Sequence, residues 1–107
     1  MNFFKGKTLE SVSESTLKKF PDAKISRIEY VPIISNPIIE VYVFYCADSD
    51  ISKNDKLGVS EKISSFIVGE LNRIGRGPTQ GVLPKFVFDS HENVVINYEG
   101  SYFFRLR

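Results

Sequence analysis

Few side chains in this sequence are of the types that act as nucleophiles or bind transition metals. His91 is the only histidine and Cys46 the only cysteine, so the chain cannot complete a tetrahedral zinc site built from these two residue types. Cys46 belongs to an apolar run, which favours a buried thiol that behaves as a small hydrophobic side chain. His91 falls in a polar stretch, where we expect an exposed turn. Because a buried thiol and an exposed imidazole would not meet, no Cys–His dyad is predicted.

The segment from Asp48 to Asp55 places oxygen-bearing side chains at alternate positions, as a calcium-binding EF-hand loop does. However, Lys53 occupies the position that requires glycine, and Val59 occupies the position that requires a bidentate glutamate. We therefore expect a solvated acidic loop, with no metal ion and no cofactor. The other carboxylates show no pair at a spacing typical of acid–base catalysis. These patterns predict a protein that is not an enzyme.

Length and composition predict one domain over residues 1–107, because a second core would not fit in a chain of 107 residues. The sequence has no apolar run near the ~20 residues that cross a bilayer, so no membrane partner is expected. The first seven residues include two lysines but no apolar segment follows them, so we predict no secretory signal and a cytoplasmic location. The net charge is +1, although residues 28–61 carry six acidic and only two basic side chains.

Hydrophobic periodicity predicts seven elements in the order αββαβββ. Two apolar stripes at helical spacing predict helices, one from Leu9 to Phe20 before Pro21 and one from Val59 to Ile74 before Gly75. Alternating or continuous apolar stretches predict five strands, at residues 24–34, 38–46, 83–89, 94–99 and 102–107. Short turns between strands favour antiparallel pairing, and the third and fourth strands should form a hairpin. The predicted fold class is an α+β two-layer sandwich, with a mainly antiparallel sheet of about five strands and two helices on one face.

Two of the predicted strands carry information about their neighbours. Pro32 has no amide donor, so the strand at residues 24–34 should lie at a sheet edge, or its end should splay away from the sheet. The stretch from Ile38 to Cys46 is apolar on both faces except for Glu40, which is typical of a central strand covered on both sides. Two helices can cover one side. The other side requires a further layer or a partner, and a second copy of the chain is one candidate.

Nucleic-acid binding is the alternative hypothesis. Arg73 and Arg76 could contribute to a basic surface, and Tyr42, Phe44 and Tyr102 on predicted strands could stack bases as an RNA-binding sheet does. A net charge of +1 is low for such a domain. The sequence therefore favours a protein partner over a nucleic acid.

Acidic side chains are the candidate contacts to that partner. Asp48, Asp50 and Asp55 lie in the acidic segment, and Asp89, Glu92 and Glu99 lie around the predicted hairpin. A small single-domain α+β chain with such a middle segment resembles the bacterial immunity proteins, for instance those of contact-dependent growth-inhibition systems. The resemblance implies a cognate protein toxin as partner, in many cases a basic nuclease, and implies these six residues as the partner-binding set. Complementary charge would speed association with such a toxin. The leading hypothesis is a non-catalytic inhibitor that covers the active site of its toxin.

Overall fold

The computed structural model describes residues 8–33 and 35–107. These residues form five helices and three strands: α1 Leu9–Lys19, β1 Ile25–Ile33, β2 Ile38–Tyr45, α2 Asp48–Lys56, α3 Val59–Arg73, β3 Leu83–Ser90, α4 His91–Asn97 and α5 Tyr102–Arg105. None of these helices is long and apolar enough to cross a membrane. Residues 1–7, on which the expected lack of a secretory signal depends, and Ile34, the predicted end of the first strand, lie outside the described residues.

The strands form one mixed sheet in the order β1-β2-β3. β1 pairs with β2 antiparallel, whereas β2 pairs with β3 parallel. The predicted fold class is therefore wrong: the described residues form three strands rather than about five, five helices rather than two, and one of the two pairings is parallel. The cause lies in the connection, because α2 and α3 lie between β2 and β3, and parallel strands need such a crossover where antiparallel strands need only a hairpin.

Both predicted helices are present, as α1 and α3. The Thr8 hydroxyl accepts a hydrogen bond from the Ser11 amide at 3.1 Å, and the Ser11 hydroxyl accepts one from the Thr8 amide at 3.2 Å. This reciprocal pair fixes the start of α1, and Pro21 follows its end. Gly75 has a φ of +78° just after α3, a left-handed conformation that glycine adopts without steric cost.

The segment predicted as an acidic loop is the helix α2. Asp50 caps it, because its carboxylate accepts the Ala47 amide at 3.0 Å. The buried residues of α2 are polar, namely Asp50 and Asn54, and Ile51 is its one apolar residue packed against the core. The Asn54 side-chain amide donates to the Ala23 carbonyl at 3.0 Å. The loop prediction is wrong because this helix has no apolar stripe for the periodicity to detect.

β2 is buried on both faces, as its sequence predicts. On one face, Val41, Val43 and Tyr45 join a core with Val12 of α1 and residues of α3. On the other face, Tyr42 and Phe44 form a second cluster that includes side chains of α4 and α5. Helices therefore cover both sides of the sheet, and the chain itself supplies the further layer that the central strand requires.

The C-terminal elements replace the last two predicted strands. Val94 and Tyr98, four residues apart, both pack into the second cluster, as one side of a helix does. Ser90 caps α4 by accepting the Asn93 amide at 2.9 Å, and Ser101 caps α5 in the same way. The predicted hairpin at residues 83–99 is wrong because only its first half is a strand, and residues 102–105 form α5 rather than a strand.

The hydrogen bonds at the ends of β2 establish which of its backbone groups face each neighbour. The Leu83 amide donates to the Pro37 carbonyl at 2.7 Å, and the Cys46 amide donates to the Lys24 carbonyl at 2.9 Å. Since successive residues of a strand direct their backbone groups to opposite sides, odd-numbered residues of β2 face β3 and even-numbered residues face β1.

Both edges of the sheet carry a proline in the same row. Pro32 of β1 and Pro84 of β3 are each in register with Ile39 of β2. The alternation places the nitrogens of both prolines on the outer side of their strands, where the missing donor removes no hydrogen bond from the sheet. This confirms that β1 is an edge strand, as Pro32 predicts.

Candidate functional site

The six predicted partner-binding residues do not form one surface. Four of them are exposed, namely Asp48, Asp55, Glu92 and Glu99, whereas Asp50 and Asp89 are buried. The Asp50 carboxylate caps α2. Asp89 forms an ion pair with Arg105, with 2.5 Å between the carboxylate oxygen and Nε, and accepts two hydrogen bonds from the Asn93 side chain. These two carboxylates are therefore occupied within the fold.

Asp48 and Glu92 meet where α2 and α4 begin, at the carboxyl ends of the parallel strands. Glu92 accepts the Asp48 amide at 2.9 Å, and the Ser90 hydroxyl donates to the Asp48 carboxylate. In the described residues no group of three or more histidine, cysteine, aspartate or glutamate side chains is placed to hold a metal ion.

Cys46 lies at this same end of the sheet. It is exposed, so the expected burial of its thiol is wrong, because β2 ends at Tyr45 and Cys46 lies beyond the covered strand. Tyr45 pairs with Ser90, and the Glu92 amide donates to the Cys46 carbonyl at 3.2 Å. The segments that contain Cys46 and His91 are therefore adjacent. His91 is exposed as expected, but as the first residue of α4 rather than in a turn.

The residues proposed for base stacking are largely covered. Tyr42 and Phe44 are buried beneath α4 and α5, and Tyr102 is half-buried. Arg73 forms an ion pair with Glu70 at 3.1 Å. The sheet surface on which the nucleic-acid hypothesis depends is therefore not open at these aromatic positions.

Four large apolar side chains on α4 and α5 remain exposed. We define the C-terminal patch as Val95, Ile96, Phe103 and Phe104, which are 50–70% exposed. The rings of Phe103 and Phe104 contact each other, with 5.8 Å between centroids. Glu92 lies on the same side of α4 as Val95 and Ile96, three and four residues away, and the exposed Glu99 lies in the turn that follows. Sequence periodicity missed this patch because it assigned these residues to strands.

A concavity runs along the outer edge of β1. We define this strand-edge groove, about 680 Å³ in volume, by its lining: Glu10, Ser13, Leu17, Ser26, Arg27, Ile28, Glu29, Tyr30, His91 and Tyr102. α1 supplies one wall, β1 the floor, and His91 with Tyr102 the opposite wall. The sequence could not indicate this groove, since α1 and α5 lie at opposite ends of the chain.

Charged and aromatic groups stack along the wall of the groove formed by Tyr102. The Arg27 guanidinium lies 4.0 Å from the centroid of the Tyr102 ring and forms an ion pair with Glu29. The Tyr102 hydroxyl lies 2.7 Å from Nδ1 of His91. Burial raises the pKa of Tyr102, and the nearby positive charge of Arg27 opposes that shift. This wall therefore presents a planar, largely charge-compensated surface.

Tyr30 joins the floor of the groove to α1. Its hydroxyl forms a hydrogen bond with the Ser13 hydroxyl at 2.8 Å. Burial raises the pKa of Tyr30 to about 12, although the Ser13 hydrogen bond acts in the opposite direction. Tyr30 therefore stays protonated in the folded chain at pH values where a solvent-exposed tyrosine ionises.

We expect Tyr30 to make the stability of the fold depend on pH in the alkaline range. Since its folded-state pKa exceeds the unfolded value near 10, its contribution is fully present below about pH 10 and is lost as the pH rises toward 12. The loss attributable to Tyr30 should be roughly 2 kcal/mol. Urea unfolding at several pH values would measure this dependence.

The variant Tyr30→Phe is the control for this pH dependence. At pH 7 it should be about 1 kcal/mol less stable than the wild type, because it lacks the Ser13 hydrogen bond. Between pH 10 and 12 this difference should shrink or reverse, because phenylalanine has no proton to lose. A constant difference over that range would contradict the expectation.

Comparison with known proteins gives no relative for this chain: no protein-family model matches it, and neither curated proteins nor solved structures show a significant match.

Proposed function

We propose that the chain is a non-catalytic, protein-binding inhibitor of the immunity-protein kind, which acts in the cytoplasm and neutralises a cognate toxin by covering its active site. The observation that carries this proposal is the C-terminal patch. Large apolar side chains that stay exposed to water, as these four do on two successive helices, are typical of a protein-binding surface.

The position of the patch supports a binding role over a purely structural one. α4 and α5 already bury Val94, and largely bury Tyr98 and Tyr102, against the sheet. Phe103 and Phe104 are therefore additional apolar side chains that the fold does not use. Large aromatic side chains that become buried on association supply most of the affinity in many interfaces.

Exposed carboxylates near the patch favour a basic partner. Glu92 lies on α4, three and four residues before Val95 and Ile96, and Glu99 lies in the turn after α4. Asp48 contacts Glu92 through its backbone amide. A toxin whose cleft binds the phosphates of a nucleic acid would carry the complementary charge. In this proposal the apolar side chains hold the complex together, while the acidic side chains speed its formation.

The test is a growth assay with the toxin-like protein encoded beside this gene, supported by kinetic measurement of binding. The wild-type chain should restore growth. The triple variant Ile96→Ser/Phe103→Ser/Phe104→Ser should weaken the complex by more than about a hundredfold, mainly through faster dissociation. A second variant, Asp48→Asn/Asp55→Asn/Glu92→Gln/Glu99→Gln, should slow association by about tenfold at low salt.

Leu57→Ser is the matched control for loss of an exposed apolar side chain, because Leu57 is 63% exposed but lies at the end of α2, outside the patch. This variant should protect cells as well as the wild type does. The proposal fails if the triple variant is folded and still protects fully, or if the wild-type chain neither binds the neighbouring toxin nor restores growth.

A further inference from the structure

The backbone of β1 is open along the floor of the strand-edge groove. Arg27, Glu29 and Val31 are in register with even-numbered residues of β2, which direct their backbone groups toward β1. Ile28 and Tyr30 therefore direct their N–H and C=O groups away from the sheet. In the described residues no backbone group bonds to them from that side.

The opposite edge of the sheet is less suited to accept another strand. On β3, Pro84 occupies an outward-facing position without an amide donor. Farther along β3, the outward-facing amide of Ser90 already donates to the Asp89 carboxylate at 2.8 Å. Pro32 interrupts the outward donors of β1 as Pro84 does on β3, so the main difference between the two edges is shape, because the groove with its two walls lies at β1.

We infer that the strand-edge groove binds an extended segment of a partner protein, which adds to β1 as a fourth strand and carries a basic side chain toward Glu10. Alternating outward donors and acceptors on Ile28 and Tyr30 recognise an extended backbone, as in other proteins that bind peptides by strand addition. This inference does not depend on the proposed inhibitor function, because no groove residue belongs to the C-terminal patch.

The walls of the groove favour a single strand over the edge of a second copy. α1 borders the floor on one side and Tyr102 on the other. A second copy would bring its own α1 and α5 to the same place, because its β1 lies between the same two walls. An isolated extended segment has no such walls.

The charged and apolar side chains that line the groove indicate which side chains the bound segment should carry. Arg27 and Glu29 neutralise each other in an ion pair, whereas Glu10 has no ion pair among the described residues. Leu17, on the same wall as Glu10, is 39% exposed. Because alternate side chains of an added strand face the same wall, a basic side chain near Glu10 and an apolar one near Leu17 would complement this side.

The experiment is a nuclear magnetic resonance titration of the full chain with a capped octapeptide in which every second residue is a lysine or a valine in turn and the residues between them are threonine, so that lysine and valine side chains share one face of the strand. On binding, amide exchange of Ile28 and Tyr30 should slow by more than about tenfold, because their donors become hydrogen-bonded. The amides of Arg27 and Glu29 should change little, since they are already bonded to β2. An octapeptide with glutamate in place of lysine should bind about tenfold more weakly.

Two matched controls separate strand addition from other binding. The same lysine–valine octapeptide, N-methylated at alternate residues, keeps its side chains but loses the donors of one edge, and it should bind more than about tenfold more weakly. Glu10→Gln should weaken binding of the unmodified peptide about threefold. Glu14→Gln, also exposed on α1 but outside the groove, should have no effect.

Three results would overturn the inference. The first is no change at Ile28 and Tyr30 at millimolar peptide. The second is equal affinity for the N-methylated peptide, which would mean that the backbone edge is not recognised. The third is protection of these two amides in the free chain that increases with protein concentration, which would identify a second copy as the occupant.

Discussion

Phe44→Ala is expected to lower the free energy of unfolding by about 4 kcal/mol. Phe44 is fully buried and lies between two aromatic side chains of the second cluster. Its ring is stacked with Tyr42 at a centroid distance of 6.2 Å and contacts the Tyr102 ring edge-on at 4.8 Å. Alanine would leave a cavity between β2 and α5, and urea unfolding at pH 7 would measure the cost.

The control for Phe44→Ala is the same substitution at an exposed position of α5. Phe103 is 70% exposed, so Phe103→Ala should change the free energy of unfolding by no more than about 0.5 kcal/mol. If both variants cost the same, α4 and α5 do not pack on this face of the sheet. The comparison therefore tests the layer that replaces the last two predicted strands.

Arg105→Met should cost about 3 kcal/mol of unfolding free energy, because it leaves the carboxylate of Asp89 buried without its charge partner. The side chains of Asp89 and Arg105 are only 11% and 20% exposed. The guanidinium also lies 5.5 Å from the Tyr42 ring centroid and 5.6 Å from that of Tyr98. Methionine keeps part of that packing, so the measured loss would report mainly on the ion pair.

A double-mutant cycle separates the Asp89–Arg105 pair from the packing of its members. Asp89→Asn combined with Arg105→Met should be less destabilising than the sum of the single variants by about 2 kcal/mol. The pair of Glu70 and Arg73, whose side chains are 18% and 43% exposed, provides the comparison, and there the coupling energy should stay below about 1 kcal/mol. Equal coupling energies for the two pairs would show that burial of Asp89 is of no consequence.

The elements that the sequence predicts correctly are those with a strong apolar pattern. α1 and α3 each bury one stripe of a helical period, and Pro21 and Gly75 mark their ends. β2 is apolar on both faces because helices cover both sides. In these elements local propensity and tertiary packing favour the same conformation, so periodicity is enough to find them.

α2 was missed because its buried positions are polar. Asp50 and Asn54 occupy the side that an apolar stripe would otherwise mark, and they are satisfied by hydrogen bonds that only the folded chain supplies. A weaker signal was present in the acidic residues of its first turn and the lysines of its last turn, which complement the helix dipole.

Periodicity assigns the α4 segment to a strand because its apolar residues fit both the two-residue period of a strand and the spacing of a helix. Val94, Ile96 and Tyr98 alternate as in a strand, and β-branched residues favour that conformation. Val94 and Tyr98 are also four residues apart, as in a helix, and the Ser90 cap selects the helix. Once these residues became a helix, β3 lost its predicted hairpin partner.

The candidate surfaces were accessible to sequence reasoning only in part. Glu92 and Glu99 are exposed on α4 and in the turn after it, but the C-terminal patch depends on a helix that periodicity did not find. The strand-edge groove combines side chains from Glu10 to Tyr102, so its existence depends on long-range packing that no local pattern encodes.

The row formed by Pro32, Ile39 and Pro84 also bears on how the protein avoids aggregation. Fibrils grow when strand after strand offers uninterrupted amide donors on both edges. Here Pro32 and Pro84 each remove one amide donor from an outer strand, and both lie in the same row of the sheet. A stack of copies would therefore meet a missing donor on whichever edge it grew. The sheet is thus protected from indefinite growth at the end where β2 begins, while the stretch around Ile28 and Tyr30 keeps its donors for one short strand.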